Sequence, residues 1–93
     1  MYVVVEHRIS DPGTFFSVAQ QVKIPDDLKL HQVIPSDDGS RAVCLWEADS
    51  PRAVREFIEP AVGHVSTNEY FAVDAAHAVG IPAASPQVAA ESA

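Results

Sequence analysis

Residues Arg41 to Val62 read RAVCLWEADSPRAVREFIEPAV, a strand that turns without a linker into an amphipathic helix. Ala42 to Ala48 is a short run rich in Val, Leu, Cys and Trp, bounded by Gly39-Ser40 and Asp49-Ser50-Pro51, the signature of a mostly buried strand. Ser50 is a natural helix cap, and Pro51 suits the first helical position, where a missing backbone N–H costs nothing. Val54, Phe57, Ile58, Ala61 and Val62 then form one apolar stripe, leaving Arg55, Glu56 and Glu59 to water. Pro60 predicts that the regular helix ends near Ile58.

The same unit occurs once more upstream. Tyr2 to Ile9 (YVVVEHRI) is a β-branched run, followed by Asp11-Pro12 as cap and first helical residue, and Phe15, Val18, Ala19 and Val22 repeat the stripe. An offset of 39 sets Pro12 on Pro51 and Phe15 on Val54, and it sets Leu28 to Ile34 on Thr67 to Val73. Each half is therefore strand, helix, strand. Pro35-Ser36-Asp37-Asp38-Gly39-Ser40 supplies the turn chemistry of a hairpin between the halves. The order βαββαβ predicts a ferredoxin-like α+β fold, a four-stranded antiparallel sheet with both helices on one face. The domain is expected over residues 1–80. Residues 81–93, rich in Ala, Pro and Ser without periodicity, are expected to form a disordered tail or to lie across a partner.

The alternation in the second and fourth strands places Leu28, Leu30, Ile34, Phe71 and Val73 toward the helices, and His31, Val33, Tyr70 and Ala72 on the open face. The first and third strands are apolar at both parities, as expected of strands covered on both sides. A second copy of the sheet is the simplest cover, which predicts a homodimeric α+β barrel with a cavity between the sheets.

Composition excludes several classes of partner. A 93-residue domain buries only ~60% of the surface that its unfolded chain exposes, so a partner subunit helps its stability. The net charge of −7, with six basic residues scattered over the chain, argues against nucleic acid and anionic membrane, which need clustered Lys and Arg. No stretch approaches the ~20 apolar residues of a membrane span. Cys44 is the only cysteine, which rules out an internal disulfide and suits a reducing cytoplasm.

Five residues carry the expected site: Glu6, His31, Cys44, Trp46 and Tyr70. Glu6 lies within an apolar run, where a carboxylate needs a partner, and is the best acid or base; its plainer reading is an ion pair with Arg8 or Arg41. His31 and Tyr70 are equivalent under the repeat and are expected to line a pocket from the two edge strands, or else to be a surface pair. Trp46 and Cys44 share a strand face, as the floor and a ligand of a pocket or simply as core. Of the four histidines, His7, His31, His64 and His77, none occurs in an HxH or HxxxH spacing, so the local metal signal is weak. GxGxxG, GxxxxGK[ST] and GxSxG are all absent, so nucleotide binding and triad hydrolysis lack support.

His31-Gln32-Val33-Ile34, Asp37-Asp38, Ala42-Val43-Cys44-Leu45-Trp46, Ala48 and Val54-Arg55-Glu56 together resemble a family of small actinobacterial nickel-binding proteins of unknown function. The resemblance covers roughly residues 2 to 75 and includes an acidic residue in the first strand, here Glu6. It departs where Phe57 follows Glu56 and where Gly63-His64-Val65-Ser66 replaces a Gly-Phe-Pro-Ala stretch. More broadly the chain looks like the dimeric α+β barrel proteins, which include cofactor-free monooxygenases and small isomerases. The resemblance implies a divalent metal such as nickel, or a small apolar ligand, in the inter-sheet cavity of a homodimer. The alternative is a cofactor-independent monooxygenase or isomerase acting on a small aromatic or polyketide-like substrate, with His31 or Glu6 taking a proton from it.

Overall fold

The computed structural model describes residues 1–82. Along the chain run β1 (Tyr2–Ile9), α1 (Pro12–Gln21), β2 (Lys29–Pro35), β3 (Arg41–Glu47), α2 (Pro51–Val62) and β4 (Ser66–Ala72). The strands form one antiparallel sheet in the order β2-β3-β1-β4, a ferredoxin-like α+β fold. Both helices start as their sequences dictate. An Asp11 carboxylate oxygen accepts from the Thr14 backbone N–H at 3.1 Å, and the Ser50 hydroxyl accepts from that of Ala53 at 3.1 Å, with Pro12 and Pro51 following the caps.

The β2–β3 turn is organised by Asp38. One of its carboxylate oxygens accepts from the hydroxyls of Ser36 (2.9 Å) and Ser40 (2.7 Å) and from the Ser40 N–H (3.0 Å). These bonds, the Ser40 backbone N–H foremost, hold its pKa down to about 2. Gly39 takes φ of 75°, left-handed backbone that favours glycine, and packs against Pro12.

The core lies between the sheet and the helices. Val3, Val5 and Ile9 of β1 and Ala42, Cys44 and Trp46 of β3 meet Phe15 of α1 and Val54, Ile58 and Val62 of α2. His7, only 2% exposed, shares the β1 parity of Val3, Val5 and Ile9 and lies among them. Contrary to the expectation from Pro60, α2 continues to Val62. The Glu56 carbonyl that Pro60 cannot serve belongs to an exposed residue, where the loss of the bond costs less than in the core. Burial of Val62 and a Gly63 N–H bond to the Glu59 carbonyl at 2.9 Å hold the last turn.

The faces of the edge strands also differ from expectation. Leu30 pairs with Trp46, but Gln32 pairs with Leu45, so His31 is an extra residue and its strand bulges there. The bulge resets the alternation. Val33, opposite Cys44, faces the helices, and Ile34, opposite Val43, is 58% exposed on the open face. In β4, Tyr70 lies opposite Val5 and Ala72 opposite Val3, which puts both on the helix side, while Phe71, opposite Val4, is on the open face. Here β1 decides: its Val3-Val5-His7-Ile9 parity is fully buried, and β4 must follow its register. Gln32 and Glu69 thereby fall on the open face.

Past β4, the Val73 N–H bonds the Tyr2 carbonyl at 2.9 Å, and Asp74 caps a turn through Ala76 and His77. Gly80, at φ 83°, leads to Pro82, whose carbonyl accepts from the Tyr2 hydroxyl at 3.0 Å. The tail expected over 81–93 lies, from residue 83 on, outside the described residues.

Candidate functional site

The sheet separates the five residues expected to form one site. Cys44, Trp46 and Tyr70 are on the helix side, whereas Glu6 and His31 are on the open face. Glu6 is exposed, and among the described residues it forms an ion pair with neither Arg8 nor Arg41. His31 turns to a different neighbour. Its Nε2 lies 2.9 Å from a Glu47 carboxylate oxygen, with the two side chains only 8% and 18% exposed, and its ring stacks obliquely on Tyr2 at 5.5 Å. Partial burial, reinforced by the Glu47 charge, pushes the Tyr2 phenol up.

On the helix side, β2, β3, α1 and α2 enclose a cleft of about 70 Å³, walled chiefly by Phe15, Leu30, Val33, Trp46, Phe57 and Ile58, with His7 and Cys44 among its lining residues. The wall is almost wholly apolar. Two polar features stand out. The first is the Trp46 indole Nε1–H, buried and without a hydrogen-bond partner among the described residues. The second is a relay that starts at the cleft and ends in solvent.

In that relay, the Cys44 thiol lies 3.2 Å from His7 Nε2, His7 Nδ1 lies 2.6 Å from Asn68 Oδ1, and Asn68 Nδ2 donates to Glu59 at 2.9 Å. The Tyr70 hydroxyl donates to the same Glu59 oxygen, and Arg55 sits 5.2 Å above the Tyr70 ring. The bond from Tyr70, together with Asn68 and Arg55, holds the Glu59 carboxyl below its ordinary range, so it is ionised at neutral pH.

An ionised carboxylate only accepts, and this fixes every link. The Asn68 amide must turn its NH₂ to Glu59 and its oxygen to His7. His7 Nδ1 must then carry the proton, which leaves the Nε2 lone pair facing the sulfur. Burial holds the His7 pKa below its ordinary value and pushes the Cys44 thiol up to about 11. At neutral pH the resting pair is accordingly a thiol donating to a neutral imidazole. Burial pushes the Tyr70 phenol up too, as does its bond to Glu59.

The donors that the sequence resemblance implies for a metal do not converge, because the sheet lies between Cys44 and the pair Glu6 and His31. Among the described residues no group of three or more His, Cys, Asp or Glu side chains is placed to share an ion. Among the described residues the implied donors do not fit a single metal centre. No described helix is long and apolar enough to cross a membrane.

Sequence reasoning missed His7, Asn68 and Glu59. His7 was open to discovery, since its parity with Val3, Val5 and Ile9 marks it as a buried residue. Asn68 and Glu59 carry no such signal, because a strand residue meets a helix residue only once the layers pack. Comparison of the chain with family models, with curated proteins and with solved structures finds no match.

Proposed function

We propose that the protein binds a small apolar molecule carrying one hydrogen-bond acceptor, in the cleft between the sheet and the helices. The observation that supports this is an almost wholly apolar cleft lined by Trp46, whose buried indole N–H has no hydrogen-bond partner among the described residues. A buried donor without a partner costs ~1–3 kcal/mol, and a bound carbonyl or ether oxygen recovers that cost. The apolar remainder of the wall supplies affinity without direction, and the indole selects against pure hydrocarbons.

The chain has one tryptophan, so a ¹⁵N-labelled sample gives a single indole N–H resonance that reports on the cleft directly. Titration with cyclopentanone is expected to shift that resonance saturably, and cyclopentane, which has the same ring and no acceptor, to bind at least tenfold more weakly. Equal responses to the two, or none to either at millimolar concentration, overturn the reading.

The open face supports the homodimer expected from the sequence. Val4, Val43, Leu45 and Phe71 form an apolar strip there, and Glu6, Glu69, Arg8 and Arg41 flank it without ion pairs among the described residues. A two-fold copy oriented with the arginines of one protomer against the glutamates of the other pairs these charges. Light scattering is expected to give a dimer at micromolar concentration; a folded monomer sinks the dimer.

A further inference from the structure

The Cys44–His7–Asn68 relay borders the cleft, and binding an apolar molecule does not require it. Its parts are those of an activated nucleophile: a thiol, a base within hydrogen-bond reach, and a third group that holds the base in one tautomer. Asn68 holds His7 with the Nε2 lone pair toward Cys44, and Glu59 fixes Asn68 from the solvent end. Trp46 follows Cys44 by two positions on the same face of β3, roughly 6–7 Å along the strand. Cys44 and Trp46 both line the cleft.

The wall narrows the chemistry. Acyl transfer followed by hydrolysis needs a leaving group to be protonated and a water to enter, and an almost wholly apolar wall accommodates water poorly. Conjugate addition needs neither. We propose that Cys44 captures a small α,β-unsaturated carbonyl compound covalently, with His7 as the base and the Trp46 N–H holding the carbonyl oxygen; this rests on the reading of the cleft as a ligand site.

In the step, His7 Nε2 takes the thiol proton as sulfur bonds to the β-carbon of the alkene. The π electron pair moves toward the carbonyl, giving an enolate whose oxygen accepts from the indole. The α-carbon then takes the proton back from His7. The thiol has added across the double bond, nothing is oxidised or reduced, and no other reactant is consumed. The transient imidazolium is stabilised by Asn68 and by the Glu59 charge behind it. The thiolate exists only during the step, which distinguishes this site from one with a free, exposed thiolate.

The test incubates the folded protein with methyl vinyl ketone or with N-(1-pyrenyl)maleimide, which is too large for the cleft. Glutathione serves as the reference for intrinsic reactivity, and adducts are followed by intact mass and peptide mapping. The expected result is one equivalent of ketone on Cys44, none in Cys44→Ala, and a preference for ketone over maleimide at least tenfold greater than that of glutathione. His7→Phe, which keeps a ring in the same place, is expected to slow addition at least tenfold. If that variant does not fold, the preference for the small electrophile decides alone. A preference equal to that of glutathione means that Cys44 reacts only after unfolding, and overturns the proposal. If no adduct forms while cyclopentanone still shifts the indole resonance, the cleft binds and the thiol is inert; if neither occurs, both readings fall.

Discussion

Replacing Asn68 by alanine removes the one acceptor that His7 Nδ1–H has among the described residues, and the size of the effect follows from where each half of the broken network lies. His7 is 2% exposed, so its N–H is left without a partner in the core. A buried donor stripped of its acceptor costs ~1–3 kcal/mol. The other half, the bond from Asn68 to Glu59, lies at the surface, where water replaces it at little cost. For a domain of this size each kcal/mol lowers Tm by roughly 4–8 °C, so Asn68→Ala is expected to melt about 5–20 °C below the parent. Glu59→Ala removes two exposed bonds, from Asn68 and from Tyr70, which water replaces, and its Tm is expected to fall by less than half as much. Circular dichroism melts of the three proteins at pH 7.5 provide the measurement. An Asn68→Ala variant melting within about 2 °C of the parent, or a Glu59→Ala variant costing as much, would refute the argument that the relay is anchored from the buried end.

Two further predictions concern pH and the hairpin. Because burial holds the folded His7 pKa below the ordinary ~6.5, the unfolded chain binds the extra proton first. Stability is therefore full above that value and falls as pH drops below it, by at most ~1.4 kcal/mol per pH unit, until the folded pKa is reached. Urea unfolding at pH 7.5 and 5.5 is expected to show this loss, and His7→Phe to flatten it; an unchanged slope in the variant assigns the loss elsewhere. Gly39→Ala forces a Cβ into left-handed backbone and to within 3.0 Å of the Pro12 Cβ, at a cost of about 1–2 kcal/mol. A lower urea midpoint with the same m value is the expected sign, and an unchanged midpoint contradicts it.

The sequence carried the elements well because their boundaries are chemical. Asp11-Pro12 and Ser50-Pro51 start the helices where the residues say, and every strand lies within a residue or so of its expected position. What failed was local in origin and tertiary in resolution. Nothing about His31 announces a bulge, and one extra residue exchanged the faces of Val33 and Ile34. Tyr70 and Phe71 are both aromatic, so only pairing with β1 decides which of them faces the helices. The expected site divided for the same reason: Cys44 and Trp46 follow the clear alternation of a central strand, and Tyr70 joins them, but Glu6 and His31 fall across the sheet. Pro60 predicts a stop because its cost is intrinsic, while its compensation, the buried Val62, is a property of the packed structure.

The bulge at His31 also bears on how the molecule avoids its own kind. Strand β2 is an outer strand, and an outer strand offers an unpaired row of N–H and C=O groups on which another chain can extend the sheet. An extra residue interrupts that row near its middle and increases the local twist, and Pro35 removes a donor at its far end. The template is broken at two places in seven residues. Sheet extension into fibres through this edge is thereby discouraged. The same residue that disrupts the edge also holds Glu47 and Tyr2 on the open face, so deleting His31 would straighten the edge and release both partners at once, while Ile34 would stay opposite Val43 on the open face.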